Sequence, residues 1–222
     1  MLTRILPPTV ACSEQIGKFS GFLFRVEKDI LGPNTVQKRW ESFTAGRTCA
    51  RYALNALGIP DVPILRGPKR EPIWPDGIVG TITHCDGYCA AALAYERDFI
   101  SLGIDAETND PVPDEMLELV ALKAEIDWLR RAPKSHICWD KLLFSIKESV
   151  YKTWYPIARC WLGFEEVLVT IEPGSRSFIA SVLSPASVQT SHHMRSFQGR
   201  YLVEKSLILT AICVSKPRSP KA

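Results

Sequence analysis

The stretch FSIKESVYKTW, from Phe144 to Trp154, places the strongest constraint on how this chain folds. It contains neither glycine nor proline, and its apolar residues return every three or four positions, as they do on one face of a helix. The pattern predicts a helix over residues 139–155 that Pro156 brings to an end. Glu148 and Lys152 are four residues apart, so they share one face of that helix. They form either an ordinary surface ion pair or part of a site for phosphate and metal chemistry.

A second acidic stretch lies upstream, in SLGIDAE at residues 101–107. Its alternation predicts a strand on which Asp105 and Glu107 point to the same side. Two carboxylates on one side suit a hard cation such as Mg²⁺. The same residues also fit a strand end whose acids are simply solvated.

The other predicted elements distribute evenly along the chain. They are helices over 36–57 and 114–131, strands over 78–83, 88–95, 167–171 and 178–183, and a β-rich segment over 201–214. Each half therefore holds a long helix and several strands. This predicts an α+β fold of two similar lobes, residues 1–109 and 110–222, joined near Pro111 and Pro113.

Charge and hydropathy exclude some functions. A formal charge of +3 is too small to indicate a nucleic-acid groove. No run approaches the ~18 apolar residues of a membrane span. The seven cysteines are odd in number and complete no zinc pattern, which predicts reduced thiols and a cytoplasmic protein. Trp74, Trp154 and Trp161 are expected in the core rather than on a binding surface.

The chemistry-bearing segments, taken in order, resemble one family. They are KRWESFTAGRTCAR, LRGPKREP, GTITH, GIDAE at 103–107, FSIKESVYK at 144–152, and WLGFE. Together they resemble the 4′-phosphopantetheinyl transferase superfamily, Sfp type, and most closely its EntD-like branch, over residues 35–172. GIDAE and FSIKESVYK are each weak alone, but in this order, with the upstream histidine motif, they are specific.

The resemblance implies a fold and a reaction. The fold is two pseudo-symmetric α/β lobes with coenzyme A and Mg²⁺ between them. The reaction is attack by a serine hydroxyl of an acyl or peptidyl carrier protein on the β-phosphate of coenzyme A, which releases adenosine 3′,5′-bisphosphate. It also implies activation of fatty acid, polyketide, nonribosomal peptide or siderophore synthases. Two lobes fused in one chain predict a monomer, and the small charge and the lack of a long apolar run predict no nucleic-acid or membrane partner.

The resemblance also implies roles for the acidic residues and the lysines. Asp105, Glu107 and Glu148 would hold Mg²⁺, or Mn²⁺, with the backbone carbonyl of Ala106 nearby. Glu148 would act as general base for the carrier serine, directly or through a water on the metal. Lys152 would contact the α-phosphate and offset charge on the departing nucleotide. Lys147 either joins the same anion or lies at the surface.

Further positions match the family's contacts with coenzyme A. They are Arg39, Arg47, Arg66, Lys69, Thr83, His84, Asp105 and Lys152. The histidine matches a phosphate contact to which Thr83 adds a hydroxyl, although a lone histidine after a strand is also a common structural residue. Arg39 and Arg47 match the grip on the nucleotide end, because a guanidinium group bonds two phosphate oxygens at once. Arg66 and Lys69 match the loop beside the adenine and the 3′-phosphate, or are merely solvated.

Two other functions share these residues. A degenerate relative would bind coenzyme A or a carrier protein without chemistry, but every expected acid and base is present here. An unrelated Mg²⁺-dependent phosphohydrolase would use the same three carboxylates and would release phosphate or nucleotide without any carrier.

Overall fold

The computed structural model of this protein describes residues 1–184 and 195–217. The described chain mixes helices with antiparallel strands, which confirms the predicted α+β class. It forms two compact units whose division falls between Leu102 and Gly103. The N-terminal unit begins at Pro7 and includes the described residues after Ile212, while the C-terminal unit includes Met1–Leu6. The predicted boundary after residue 109 lies further along the chain.

A three-stranded antiparallel sheet and one long helix form most of the N-terminal unit. The sheet has the order β1–β5–β4, and both predicted strands in it are confirmed. The strands are β1 (Ala11–Ile16), β2 (Leu65–Arg66), β3 (Pro72–Ile73), β4 (Ile78–Cys85) and β5 (Tyr88–Tyr95), with β2 and β3 as a separate hairpin. The helices are α1 (Arg25–Lys28) and α2 (Gln37–Ala56), the second of which was predicted over 36–57.

Short side chains let α2 lie directly on this sheet. Ala45, Cys49 and Ala53 on the helix are fully buried, as are Cys89 and Ala91 on β5. They belong to one apolar cluster. Burial of such a contiguous apolar surface is the main force that holds helix and sheet together.

A buried ion pair anchors α2 from its other side. The two guanidinium contacts from Arg51 Nη1 to the Glu27 carboxylate are 2.9 and 3.0 Å, and both side chains are almost wholly buried. The same carboxylate accepts the backbone N–H groups of Phe24, at the start of α1, and of Ile64. Arg51 therefore has a structural role in this unit.

The C-terminal unit is built on a larger antiparallel sheet, of order β6–β10–β9–β8–β7. Its strands are β6 (Phe99–Thr108), β7 (Val167–Glu172), β8 (Ser177–Val182), β9 (Ser196–Glu204) and β10 (Leu207–Ser215), and the unit division falls inside β6. Its helices are α3 (Asp114–Val120), α4 (Lys123–Leu129) and α5 (Trp139–Ala158). Short 3-10 helices span Leu2–Arg4 and Phe164–Glu166. Among the described residues, no helix combines the length and the apolar character that crossing a bilayer requires.

A second buried ion pair anchors α5, in the same manner as the first anchors α2. Lys147 Nζ lies 2.7 Å from Glu125 Oε2 and also donates to the carbonyl oxygens of Val120 and Phe164. Glu125 in turn accepts the backbone N–H groups of Leu122 and Val169. Lys147 is 1% exposed, so both roles expected for it, at the anion or at the surface, are wrong.

The predicted single helix over 114–131 is also wrong. Two short helices occupy this region, and Ala121 and Leu122 between them are extended. The break places Glu125 in the first turn of α4, where its carboxylate accepts the N–H of Leu122 and meets Lys147. Tertiary bonding to one buried carboxylate thus overrides a favourable helical pattern.

Helix α5 runs slightly further than its sequence indicates. Pro156 lies inside it, and the helix ends at Ala158, where Arg159 adopts a left-handed conformation. Proline has a φ angle suited to a helix, and its cost is the missing N–H and a steric clash one turn back. Because Pro156 lies in the last turn of α5, it disturbs few of the hydrogen bonds of the helix.

Gly103 lets β6 and α5 approach each other closely. A Cβ atom at this position would lie 2.2 Å from the carbonyl oxygen of Ser149 and 2.1 Å from Oγ1 of Thr153. Since the side-chain direction repeats every two residues along a strand, Asp105 points to the same side as Gly103. The glycine therefore brings the strand face that carries Asp105 against the helix that carries Lys152.

We expect Gly103→Ala to destabilise the protein by about 1–3 kcal/mol, since the new methyl group overlaps helix backbone that cannot turn aside. Chemical denaturation followed by circular dichroism measures the change. Gly174→Ala is the matched control, because nothing lies within 4 Å of a Cβ atom at that turn. Equal stability of the two variants would contradict this account of the close contact.

Candidate functional site

Four of the predicted site residues come together within the C-terminal unit. Asp105 and Glu107 lie on β6, while Glu148 and Lys152 lie one turn apart on α5. Asp105 is 3% exposed, and the other three side chains are partly buried. The sequence prediction of a shared helix face and a shared strand side therefore holds.

An ion pair joins the strand to the helix at this site. Lys152 Nζ lies 2.6 Å from Asp105 Oδ1, and the two side chains are 26% and 5% exposed. A hydrogen bond between two charged groups at this distance, mostly screened from water, is stronger than one between neutral groups. It fixes the lysine over the acidic strand.

The carboxyl groups at the site influence each other's ionisation. The pKa of Glu107 is raised to about 7, first by burial and then by the charge of Asp105; Lys141 and Lys152 oppose the shift, and Glu148 adds to it. Burial likewise raises the pKa of Glu148, with Lys152 lowering it and Asp105 raising it. Asp105 therefore acts on both glutamates, and a cation placed near them would favour their charged forms.

Lys141, which the sequence analysis did not single out, also belongs to this group. Its Nζ lies 3.9 Å from Glu107 Oε2 and 3.6 Å from Asp110 Oδ1. Lys141 precedes Glu148 by two helical turns, so helical spacing alone was a signal that it faces the same way.

The chain that follows β6 is fastened to the beginning of α5. Asn109 Oδ1 accepts the N–H of Cys138 at 2.9 Å, and Asn109 Nδ2 donates to the carbonyl oxygen of His136 at 2.8 Å. Asp140 Oδ2 accepts the N–H of Val112 at 2.8 Å. These bonds fix the end of the strand that carries Glu107 relative to the helix.

The donors suit Mg²⁺ chemically, because carboxylate oxygens are the hard ligands that this ion prefers. Within residues 1–184 and 195–217, however, no group of three or more His, Cys, Asp or Glu side chains converges in a metal-binding arrangement. Asp105 is bound by Lys152 instead. The ligand set Asp105, Glu107 and Glu148, with the carbonyl of Ala106, stays a prediction.

Arg47 of the N-terminal unit is buried and holds neighbouring backbone. Its Nε donates to the carbonyl oxygen of Ile64 at 2.8 Å, and its guanidinium lies 4.3 Å from the ring centre of Phe43. Its pKa is lowered to about 10, first by burial; Glu27 opposes the shift, while Arg51, Arg39 and Arg66 add to it. Arg39 and Arg66 thus lie close enough to Arg47 for their charges to affect its ionisation.

The predicted loop that borders the nucleotide is the hairpin between β2 and β3. Arg66 and Lys69 are exposed on it, and the hairpin is closed by the bond from the Gly67 N–H to the carbonyl oxygen of Glu71. The Glu71 carboxylate accepts the N–H of Lys69 at 2.9 Å. The contacts of Arg39, Arg66 and Lys69 with coenzyme A stay predictions.

Thr83 and His84 are neighbours near the end of β4, and they differ in exposure. Thr83 is 2% exposed, whereas His84 is exposed. Successive residues of a strand point to opposite faces of its sheet. It is therefore difficult for one phosphate group to meet both side chains directly, in contrast to the sequence prediction that Thr83 adds a hydroxyl to the phosphate bound by His84.

Of the three tryptophans expected in the core, one lies at the surface. Trp154 is fully buried and Trp74 packs on the N-terminal apolar cluster, as expected. Trp161 is 74% exposed, so its prediction is wrong. Its ring lies 5.1 Å from that of Tyr151 on α5, between Glu148 and Lys152 in sequence. Trp161 follows the end of α5, outside any periodic segment, so the sequence offers no pattern from which its exposure is predicted.

Comparison with known proteins gives two adjoining family matches. Residues 27–94 match the family described as the 4′-phosphopantetheinyl transferase N-terminal domain. Residues 101–208 match the 4′-phosphopantetheinyl transferase superfamily.

Individual relatives agree with these matches. The chain is 45% identical to 4′-phosphopantetheinyl transferase Svp of Streptomyces mobaraensis over 186 residues, 82% of this chain and 75% of that protein. It is 38% identical to 4′-phosphopantetheinyl transferase PptT of Mycobacterium tuberculosis over 220 residues, 96% of this chain and 97% of that protein. Enterobactin synthase component D of Salmonella typhi is 34% identical over 118 residues, 52% of this chain and 48% of that protein.

Proposed function

Because this chain belongs to the 4′-phosphopantetheinyl transferase superfamily, we propose that it transfers the 4′-phosphopantetheine group of coenzyme A to a serine of an acyl or peptidyl carrier protein. The observation that carries this proposal is the grouping of Asp105, Glu107, Glu148 and Lys152, since these are the residues of the two family motifs. We propose a monomeric cytoplasmic enzyme.

The transfer exchanges one phosphorus–oxygen bond for another. The carrier's serine oxygen bonds to the β-phosphorus of coenzyme A as the bond from that phosphorus to the oxygen bridging to the α-phosphorus breaks. Adenosine 3′,5′-bisphosphate departs with that oxygen. The serine proton goes to Glu148, whose raised pKa makes its carboxylate a better proton acceptor than an ordinary glutamate.

Charge on the phosphates has to be offset by this chain. Mg²⁺ held by Asp105, Glu107 and Glu148 would supply charge neutralisation at the diphosphate when bound. Lys152, on the same helix face as Glu148, would place its ammonium against the α-phosphate as negative charge develops there. We also propose that Arg39, Arg47, Arg66, Lys69, Thr83 and His84 contribute to binding coenzyme A.

The proposal is tested by incubating the protein with coenzyme A, Mg²⁺ and a panel of apo carrier proteins, followed by intact-mass measurement. At least one carrier should gain the mass of one phosphopantetheine group, and its serine-to-alanine variant should gain none. Release of phosphate or nucleotide from coenzyme A without any carrier would favour a phosphohydrolase instead. Tight binding of coenzyme A with no mass gain on any carrier would favour a binding protein and contradict the transferase.

A further inference from the structure

The Lys152–Asp105 ion pair joins the two residues that the proposed function assigns to opposite ligands. Asp105 is assigned to a divalent cation, and Lys152 to the α-phosphate of coenzyme A. Yet the lysine Nζ lies 2.6 Å from the aspartate Oδ1, within a pair that is mostly screened from water. A cation that binds the Asp105 carboxylate has to overcome the positive charge of the ammonium beside it, and an anion that binds the ammonium competes with the carboxylate for it.

From this geometry we infer that the Lys152–Asp105 pair is an internal competitor that couples binding of the divalent cation to binding of the diphosphate. The inference rests on the proposed function, because it takes its metal and phosphate assignments from there. Either ligand alone has to weaken the pair. Once one of them has done so, the pair competes less strongly with the other ligand.

Thermodynamic linkage makes this coupling reciprocal. If the diphosphate raises the affinity for the cation by some factor, the cation raises the affinity for the diphosphate by the same factor. The pair accordingly favours two states of the site: one in which Lys152 and Asp105 bind each other, and one in which both ligands are bound. Transfer requires the second state.

Neighbouring lysines are placed differently. Lys147 is bonded to Glu125 and to two carbonyl oxygens in the core. Lys141 lies 3.9 Å from Glu107 Oε2, which is beyond hydrogen-bond distance. Lys141 therefore offers a matched control. Its ammonium lies near the predicted metal ligand Glu107 but is not hydrogen-bonded to the Glu107 carboxylate.

The first test measures Mn²⁺ binding in the absence of any nucleotide, by electron paramagnetic resonance of the free ion at mildly alkaline pH. Lys152→Met should bind Mn²⁺ at least about tenfold more tightly than the unchanged protein, since about 1.4 kcal/mol of competition corresponds to a factor of ten. Lys141→Met should gain several-fold less. Equal gains in the two variants would overturn the inference, because simple removal of positive charge would then explain both.

The second test measures inorganic pyrophosphate binding without metal, by isothermal titration calorimetry. Asp105→Asn removes the charge that holds the lysine, so this variant should bind pyrophosphate more tightly than the unchanged protein, and Lys152→Met less tightly. In the unchanged protein Mn²⁺ and pyrophosphate should each strengthen binding of the other, and this mutual effect should shrink in Lys152→Met.

Failure of the inference differs from failure of the proposed function. If Mn²⁺ binds the unchanged protein and Lys152→Met equally well, the pair does not compete with the cation, while the metal site itself stands. If Mn²⁺ binds neither protein, with or without coenzyme A, both the metal site and the inference are overturned. Circular dichroism spectra of all variants establish that each one is folded.

Discussion

Replacing Glu148 with glutamine is expected to lower the rate of phosphopantetheine transfer by about a hundred- to ten-thousandfold, the range that one general base contributes. Glutamine keeps the size of the side chain and its place on α5, but it neither accepts the serine proton nor carries the charge that a cation needs. The raised pKa of Glu148, caused first by burial, makes its carboxylate a stronger proton acceptor than that of an exposed glutamate.

Intact-mass time courses on one apo carrier measure the loss. Glu172→Gln is the control, because this carboxylate is exposed on β7 and has no place in the proposed site. The control should keep the original rate. Full activity of Glu148→Gln with an unchanged folded state would show that the base lies elsewhere.

Replacing Lys147 with methionine is expected to destabilise the protein by about 3–5 kcal/mol, the cost of leaving one partner of a buried ion pair uncompensated. Glu125 would remain buried with its charge, and the N–H groups of Leu122 and Val169 would no longer be joined by an ammonium. Because the network joins α3, α4 and α5 to β7, its loss should weaken the C-terminal unit as a whole.

Urea denaturation measures this change through the shift of the transition midpoint. Lys123→Met, an exposed lysine at the start of α4, should change the free energy of unfolding by less than about 0.5 kcal/mol. The double variant Lys147→Met with Glu125→Gln should recover part of the loss, because no charge is then left without a partner. A Lys147→Met protein as stable as its control would refute the structural role of the pair.

Periodicity was sufficient to predict most of the secondary structure. Helix α2 and strand β5 agree with their predicted spans to within one residue at each end, because an uninterrupted pattern is decided locally. The strand with Asp105 and the helix with Glu148 were predicted for the same reason. Their meeting in one unit was not predictable from spacing, since it depends on the close approach at Gly103.

The errors arise where a tertiary contact outweighs the local pattern. Nothing in the residues around 121 breaks a helix, yet the chain turns there so that Glu125 reaches Lys147. Lys147 itself shares a short segment with Glu148, and the sequence does not tell which of two adjacent charged residues points inward. The burial of Glu27 was not predicted, because a lone glutamate in the sequence gives no sign that it will form a buried ion pair with an arginine from α2.

The most direct measurement of the central claim is anomalous X-ray diffraction from crystals grown with Mn²⁺ and coenzyme A. We predict one anomalous peak for Mn²⁺, with the ion within bonding distance of the diphosphate and of carboxylate oxygens of Asp105, Glu107 and Glu148. Lys152 should then have moved from Asp105 to the α-phosphate. A peak that none of the three carboxylates touches, or a diphosphate bound with no peak beside it, would contradict the claim that these acids hold the catalytic cation.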